Sequence, residues 1–267
     1  MIRWNSKIVG KSRHPTIIFL HGFLGSLEDW LPVCRRLLPD YHCLLLDLPG
    51  HGKTEATRTS DYTMSVTARS LIEFLSSLDI RRSVIVGYSM GGRLALYLAV
   101  QYPHYFEKVI LESASPGLQR KEDRLLRRKN DEWLATKMKN MPLENFLNEW
   151  YNLPIFKSLR NHPKFKELLG QRLASHTVNW TASLRGMGVG RQPPLWKKLK
   201  DLTMPILILA GEKDQKFRNI SFQMKKLNPD FTVSIVPRCG HVIHFEDESR
   251  FYLEVIKFLT DRGESHG

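Results

Sequence analysis

The sequence predicts an α/β fold, with a mostly parallel central sheet flanked by helices. Short apolar runs alternate with amphipathic stretches along most of the chain, which favours parallel strands joined by helical crossovers. A long polar segment with helical periodicity, residues 116–194, interrupts this alternation once. Three of the apolar runs are followed closely by a serine, an aspartate and a histidine, which are residue types suited to catalysis.

The elements follow from hydrophobic periodicity and from the Gly- and Pro-rich loops between them. Before the interruption, strands are predicted at 16–20, 42–48, from 84 onward and at 108–113, and helices at 27–38 and 62–78. After it, strands are predicted at 205–210 and 232–236, and helices at 217–227 and 246–259. We expect residues 1–267 to form one domain, with 116–194 as an inserted helical lid over the carboxyl ends of the strands, where open α/β sheets bind ligands.

The central motif is Gly87-Tyr88-Ser89-Met90-Gly91, which joins an apolar, β-branched run to a segment that can open a helix. This Gly-x-Ser-x-Gly pattern is the nucleophile elbow of α/β-hydrolases, a sharp strand-to-helix turn that exposes the serine. The glycines allow the close backbone approach that such a turn needs. The sequence therefore predicts the α/β-hydrolase fold with Ser89 as its reactive serine.

Asp214 and His241 each follow a predicted strand, so the chain order Ser, Asp, His matches that fold. A serine hydroxyl needs an imidazole to accept its proton and a carboxylate to orient that imidazole. Ser89, Asp214 and His241 are therefore the predicted catalytic triad, with Asp47 as a minor competitor for the acidic position. His21 and His51 are expected to hold loops in place.

An oxyanion hole is predicted from two backbone amides. That of Met90 follows the serine at a helix N-terminus, where N–H groups favour negative charge. That of Phe23 lies in the His21-Gly22-Phe23 loop after the first buried strand, where this fold places its second donor.

Composition narrows the class of protein. The chain has 40 Lys and Arg against 27 Asp and Glu, a net charge of +13, which favours anionic partners. No signal-peptide pattern or membrane-spanning run is present, and the three cysteines show no disulfide or metal spacing. We therefore expect a cytoplasmic protein. The oligomeric state does not follow from the sequence.

The roles of two residues, one after Ser89 and one after His241, have more than one interpretation. Arg93 lies one helical turn beyond Ser89, so it points either toward the nucleophile or into a surface salt bridge. His244 lies three residues beyond His241, a spacing that suggests a metal pair, but no carboxylate or cysteine has matching spacing. Packing or hydrogen bonding is the favoured role for His244.

Nearly the whole chain resembles the 2-succinyl-6-hydroxy-2,4-cyclohexadiene-1-carboxylate (SHCHC) synthase family of menaquinone and phylloquinone biosynthesis. The elbow continues as Gly-Tyr-Ser-x-Gly-Gly-Arg, a form that this family shares. Several other similar segments lie in the lid, where generic hydrolases differ most. Besides residues 87–93, the similar segments are 116–119, 130–131, 150–151, 211–218 and 237–241.

The resemblance implies the same triad and oxyanion hole, and a substrate site that includes Tyr88, Arg93, Arg127, Trp150 and Arg172. Arg124 and Arg128 are neighbouring alternatives to Arg127, and Arg172 is placed mainly by its position in the lid. The implied reaction is elimination of pyruvate from 2-succinyl-5-enolpyruvyl-6-hydroxy-3-cyclohexene-1-carboxylate, without metal or organic cofactor. The three carboxylates of that substrate give the arginines a purpose.

Two other classes of function remain as alternatives. A carboxylic-ester or thioester hydrolase would use the same triad and oxyanion hole, although the arginines disfavour an apolar acyl substrate. A binding module without catalysis is disfavoured by the apparent triad. A nucleic-acid binder is disfavoured because no RNA- or DNA-binding motif is present, so no nucleic-acid partner is expected.

Overall fold

The computed structural model describes residues 1–175 and 179–261. Within these ranges a seven-stranded sheet has the order β1-β3-β2-β4-β5-β6-β7. Of the seven described strands only β1 runs antiparallel to its neighbour, which confirms the mostly parallel α/β sheet. The strands are β1 (Ser6–Val9), β2 (Thr16–Leu20), β3 (His42–Leu46), β4 (Ser83–Tyr88), β5 (Phe106–Glu112), β6 (Ile206–Gly211) and β7 (Thr232–Val236).

Helices cover both faces of this sheet, and among the described residues five α-helices lie in the lid between β5 and β6. In chain order the α-helices of the described ranges are α1 (Leu31–Leu37), α2 (Met64–Ser77), α3 (Met90–Gln101), α4 (Lys121–Asn140), α5 (Leu143–Tyr151), α6 (Lys157–Arg160), α7 (Phe165–Leu173), α8 (Trp180–Met187), α9 (Gln215–Leu227), α10 (Ile243–Glu246) and α11 (Glu248–Thr260).

The core strands are apolar without alternation because both of their faces are buried. In β2, Ile18 and Leu20 pack in one cluster with α2 and α3, whereas Ile17 and Phe19 pack on the opposite face with α1 and α11. Successive side chains of a strand point to opposite faces, so one run of four residues fills two layers. This two-sided burial fixes the sheet and, with it, the strand ends that carry the site.

The structure differs from the predicted elements at two helices and one strand. The predicted helix at 27–38 starts as a 3₁₀ turn, Leu27–Trp30, that Ser26 caps. The predicted helix at 246–259 is interrupted because Asp247 is non-helical and its side chain caps α11. The short edge strand β1 was not predicted; its four residues show no buried side chain that would mark it in the sequence.

The lid has an apolar cluster of its own. Side chains of α5–α8 pack together and also against Leu24 and Val242 of the strand-end loops, which anchors the lid over the carboxyl edge of the sheet. The predicted insertion, residues 116–194, encloses α4–α8. Among the residues that the structure describes, none of the helices combines the length and apolar character needed to cross a membrane.

Candidate active site

Ser89 occupies the sharp turn between β4 and α3, with φ 48° and ψ −103°. Left-handed backbone of this kind is strained for a non-glycine residue and persists only where its surroundings impose it. Glycine is required at the two neighbouring positions because other backbone atoms leave no room for a Cβ atom. A Cβ added to Gly87 would lie 2.5 Å from the carbonyl oxygen of Gly91, and one on Gly91 would lie 2.3 Å from that of Leu20. The geometry is that of the predicted nucleophile elbow.

The structure brings Ser89, His241 and Asp214 together. His241 Nδ1 lies 2.6 Å from Asp214 Oδ2, and His241 Nε2 lies 3.3 Å from Ser89 Oγ. Asp214 is fixed from its other oxygen, because it caps α9 and accepts the Phe217 N–H at 3.2 Å. His241 and Asp214 are both buried.

This arrangement determines the tautomer of the imidazole. An ionised Asp214 can only accept, so Nδ1 of His241 carries the hydrogen and Nε2 presents its lone pair to the Ser89 hydroxyl. His241 can therefore take the serine proton, while Asp214 stabilises the imidazolium that forms. The three side chains have the geometry needed for an activated serine.

Phe23 and Met90, the predicted oxyanion donors, both line the cleft that contains Ser89. The Met90 amide belongs to the first turn of α3, where N–H groups lack intrahelical partners. The Phe23 loop is fixed by His21, whose Nδ1 donates to the Gly22 carbonyl at 2.7 Å and whose Nε2 accepts the Leu48 N–H at 3.0 Å. Both residues thus border the space that contains Ser89, where the sequence places their amides as oxyanion donors.

Three other polar residues near the strand ends hold loops, a role that the sequence predicted for His21 and His51 but left open for Asp47. His51 accepts the Leu24 N–H at 3.2 Å, and burial lowers the pKa of both His51 and His21, which keeps them neutral. Asp47 accepts the Leu27 and Lys53 N–H groups at 2.8 and 2.9 Å, so it holds loops and does not face His241.

A cleft of about 910 Å³ lies between the strand ends and the lid. Its walls include the triad, apolar and aromatic side chains such as Trp150 and Phe156, and a group of cations. The cationic lining residues are Arg93, Arg120, Arg127, Lys213 and Lys216, against the acidic Asp123 and Asp214. The cleft is therefore suited to an anionic ligand with an apolar body.

Arg93 faces this cleft from α3, which settles the alternative that the sequence left open. Its Nη1 donates to Gln192 Oε1 at 3.1 Å, and Gln192 is held in turn by the Ser115 carbonyl at 3.2 Å. Burial, with the nearby Arg127 charge, lowers the pKa of Arg93 to about 10. The guanidinium thus stays protonated at neutral pH and has a neutral hydrogen-bond partner, which leaves its charge available to a ligand.

Of the three neighbouring lid arginines, Arg127 lines the cleft. Its Nε contacts Asp131 Oδ1 at 2.7 Å, one helical turn further along α4. Arg124 donates instead to the Leu118 and Gln119 carbonyls, and Arg128 to the Gly190 carbonyl. Arg127 is therefore the one of these three arginines that borders the cleft, where it also pairs with Asp131.

Two predicted substrate-site residues, Tyr88 and Arg172, lie outside this cleft. They line a smaller cavity of about 100 Å³ that shares Phe23, Trp150 and Phe156 with it. Arg172 donates from Nη1 and Nη2 to the two carboxylate oxygens of Asp29, each at 2.8 Å, and both side chains are buried. Its charge is neutralised within the protein, a tertiary pairing that the poorly matching sequence around Arg172 does not reveal.

His244 also has a protein partner. Its Nδ1 lies 2.8 Å from Glu112 Oε2, and its ring stacks on Trp30 with 4.4 Å between the ring centroids. Hydrogen bonding and packing are thus the observed roles, as the sequence favoured over a metal pair.

Comparisons with known proteins agree with this fold. A family model described as alpha/beta hydrolase fold matches residues 15–248. The SHCHC synthase of Escherichia coli O1:K1 / APEC is 35% identical over 250 residues, covering 94% of this chain and 96% of the relative. MenH from S. aureus, a solved structure, has a TM-score of 0.90 at 32% identity and covers 95% of this chain and 97% of its own.

This chain belongs to the SHCHC synthase family of α/β-hydrolase-fold proteins. Protein PHYLLO, chloroplastic, from Arabidopsis thaliana is another relative, 35% identical over 269 residues. The alignment covers 94% of this chain but spans only 16% of the length of PHYLLO.

Three of the cations that line the cleft were not predicted from the sequence as site residues. They are Arg120, Lys213 and Lys216. Lys213 and Lys216 lie in the segment 211–218 that carries part of the family resemblance, and Arg120 directly follows the segment 116–119. Those shared segments were therefore the available signal. Burial, with the Arg127 charge, lowers the pKa of Lys216, as expected for crowded cations at one site.

Proposed function

We propose that this protein is a lyase that eliminates pyruvate from 2-succinyl-5-enolpyruvyl-6-hydroxy-3-cyclohexene-1-carboxylate to give SHCHC, a step of menaquinone or phylloquinone biosynthesis. The observation that carries the proposal is one cleft in which an activated serine and several cations face the same space. Membership of the SHCHC synthase family supplies the identity of the substrate.

The reaction requires a base and a site for developing negative charge. In the proposed step, Ser89 removes the C2 proton, which is α to the succinyl ketone, and passes its own proton to His241. The electron pair of the C2–H bond forms the C2=C3 double bond, the ring C3=C4 double bond shifts to C4=C5, and the C5–O bond breaks with its electron pair on the leaving oxygen. The enolpyruvyl group leaves and takes up a proton to become pyruvate, so the step needs no oxidant or reductant.

The oxyanion hole supports this chemistry because enolate charge develops on the succinyl ketone oxygen. The Phe23 and Met90 amides would bind that oxygen, and donors aimed at developing charge in such sites are worth several kcal/mol. In the proposal Asp214 orients His241 and stabilises its charged form.

The cleft cations match the charge of the proposed substrate, which carries three carboxylates. Arg93 lies one turn from Ser89 on α3, and Arg127 reaches the same cleft from α4. Charge-assisted hydrogen bonds from guanidinium groups bind carboxylates strongly and with defined geometry. A generic ester hydrolase with an apolar substrate would have no need of this lining.

The direct test is an assay of pyruvate release, coupled to lactate dehydrogenase and followed by loss of NADH absorbance. The enolpyruvyl substrate is expected to yield one pyruvate per SHCHC formed in the presence of the protein. Absence of enzyme-dependent pyruvate release would contradict the proposal.

Ester or thioester hydrolysis is the competing activity, because Ser89 Oγ could also attack a carbonyl carbon. The two activities differ in their intermediates. If Ser89 acts as a base, intact-protein mass spectrometry during turnover should detect no substrate fragment bound to it. An adduct on Ser89 that forms and decays with turnover would favour the hydrolase.

A further inference from the structure

Glu112 and His244 form a buried polar pair that does not line the cleft. Glu112, the last residue of β5, has a fully buried side chain, and that of His244 is 4% exposed. Glu112 Oε2 lies 2.8 Å from His244 Nδ1, and Glu112 Oε1 accepts the backbone N–H of His244 at 3.1 Å. Both oxygens of one carboxylate are thus directed at a single residue.

Glu112 also contacts the nucleophile elbow through its main chain. It pairs in register with Tyr88 across the β4–β5 ladder, and its carbonyl oxygen accepts the Ser89 N–H at 2.8 Å. One residue therefore hydrogen-bonds to the elbow with its backbone and to the segment after His241 with its side chain.

Hydrogen bonds from Glu246 brace the segment that carries His241 and His244. The Glu246 carboxylate accepts the Gly240 and Val242 N–H groups, which flank His241, at 2.8 and 3.2 Å. The Glu246 N–H in turn donates to the Val242 carbonyl at 2.8 Å. A shift of His244 relative to Glu112 would accordingly be passed to the His241 imidazole.

Packing adds a second constraint on the same pair. The His244 ring stacks on Trp30 and meets the Tyr88 ring edge-on, with 5.0 Å between the two ring centroids. Tyr88 directly precedes Ser89, and its ring also contacts that of His241 at 5.5 Å. The pair and its aromatic neighbours thus connect the two reactive side chains on the side away from the cleft.

Stability alone gives little reason for this pair. A buried hydrogen bond contributes little net stability, and replacing both of its partners with apolar groups of the same shape is often nearly neutral. Function gives a reason, since Ser89 Oγ and His241 Nε2 are 3.3 Å apart and proton transfer needs hydrogen-bond distance. We propose that Glu112, acting through His244, is a positioning residue that sets the distance between Ser89 and His241.

The test measures activation of Ser89 directly, and only one of its readouts rests on the proposed lyase function. A fluorophosphonate probe modifies an activated serine, so its rate of reaction reports the Ser89–His241 contact without any substrate, with Ser89→Ala as the blank. Glu112→Gln keeps the side-chain shape but replaces one of the two carboxylate oxygens that contact His244 with an amide NH₂ group. Glu107→Gln, at the other end of β5, is the matched control.

We expect Glu112→Gln to slow both probe modification and kcat for pyruvate release by about tenfold or more, with KM little changed, because small misplacements of catalytic groups have effects of this size or larger. Glu107→Gln should react at the wild-type rate. The double variant Glu112→Leu/His244→Phe should keep its thermal stability and still lose reactivity.

A merely structural role predicts the opposite pattern, with a lower melting temperature but a normal rate of modification of the folded protein. That pattern in Glu112→Gln, or wild-type reactivity in the folded double variant, would overturn the inference. If Glu112→Gln does not fold, the double variant decides. A wild-type protein that reacts with the probe but releases no pyruvate would contradict the proposed function and leave this comparison intact.

Discussion

The carboxyl edge of the sheet and the lid contribute to the cleft in different ways. The edge holds Ser89, Asp214 and His241 on loops that follow parallel strands, and two short contacts join them. The lid contributes Arg127 and Trp150 from helices that pack by an apolar cluster of their own. The difference teaches that the reactive groups come from the sheet edge alone, whereas the cations of the cleft come from both parts. Arg120 and Arg127 belong to the insertion, and Arg93, Lys213 and Lys216 belong to the body.

The largest expected effect comes from the sheet edge. Ser89→Ala and His241→Ala should each lower the rate of pyruvate release by roughly two to four orders of magnitude, the usual range for loss of a general base. The melting temperature should change little in comparison. Ser249→Ala, at a surface serine, is the control, and near-normal turnover by Ser89→Ala would remove the serine from the mechanism.

Next in size are the cations that face the cleft. Truncating one partner of a buried charged pair costs about 2–5 kcal/mol, so at roughly 1.4 kcal/mol per decade Arg93→Ala and Arg127→Ala should lower kcat/KM by about thirtyfold or more. Arg93 lies nearer to Ser89 and should affect kcat as well as KM.

The controls for this comparison lie on the same lid helix. Arg128 neighbours Arg127 but donates to the Gly190 carbonyl, and Lys139 is exposed near the end of α4. Arg128→Ala and Lys139→Ala should alter kcat/KM only slightly, measured in the pyruvate-release assay. Equal effects of Arg93→Ala and Lys139→Ala would refute polyanion binding and favour the ester hydrolase.

A smaller effect on catalysis, and a larger one on stability, is expected where lid and body meet. Arg172→Ala leaves Asp29 buried without its partner, and breaking such a pair typically costs about 3–5 kcal/mol. The melting temperature should fall by on the order of 10 °C in calorimetry. In a cycle with Asp29→Ala, the double variant should lose less stability than the sum of the single variants.

The stability that the Arg172–Asp29 pair contributes should depend on pH through the ionisation of Asp29. Burial alone would raise its pKa, but contacts with Arg172 outweigh burial and hold the pKa below its ordinary value of 3.8. The stabilisation is therefore fully present above about pH 4 and is lost as the pH falls through the lower folded-state pKa. Between pH 6 and pH 3, Asp29→Asn should show a smaller fall in melting temperature than the wild type. An identical pH dependence of the two proteins would assign the acid sensitivity to other carboxylates.

Local patterns in the sequence were sufficient for much of the body. The apolar run of β2 predicted that strand with its observed bounds, and the spacing of Gly87, Ser89 and Gly91 predicted the strained turn. A strand buried on both faces requires apolar residues, and a close approach of two backbone segments requires glycine. Both features can therefore be identified from residue type. Strand β1 has no such pattern in its sequence, because it is a short edge strand without buried side chains.

The roles of the lid arginines could not be predicted from the sequence, because a cationic side chain on a helix can reach several different partners. Arg124, Arg127 and Arg128 are equivalent in the sequence, yet only Arg127 of the three lines the cleft. Arg172 looked like a fourth candidate, but its partner Asp29 lies 143 positions away in the chain.

By itself, then, the sequence determined the parallel sheet, the elbow, the triad candidates and the presence of an inserted helical lid. These features depend on local periodicity and on residue types that their backbone positions require. Only the tertiary structure decided which charges face the ligand cleft and which are neutralised within the protein, as Arg93 and Arg172 illustrate. The physical reason is that the role of a long cationic side chain depends on its interaction partners. Those partners lie far away in the sequence and come within reach only when the lid packs on the sheet.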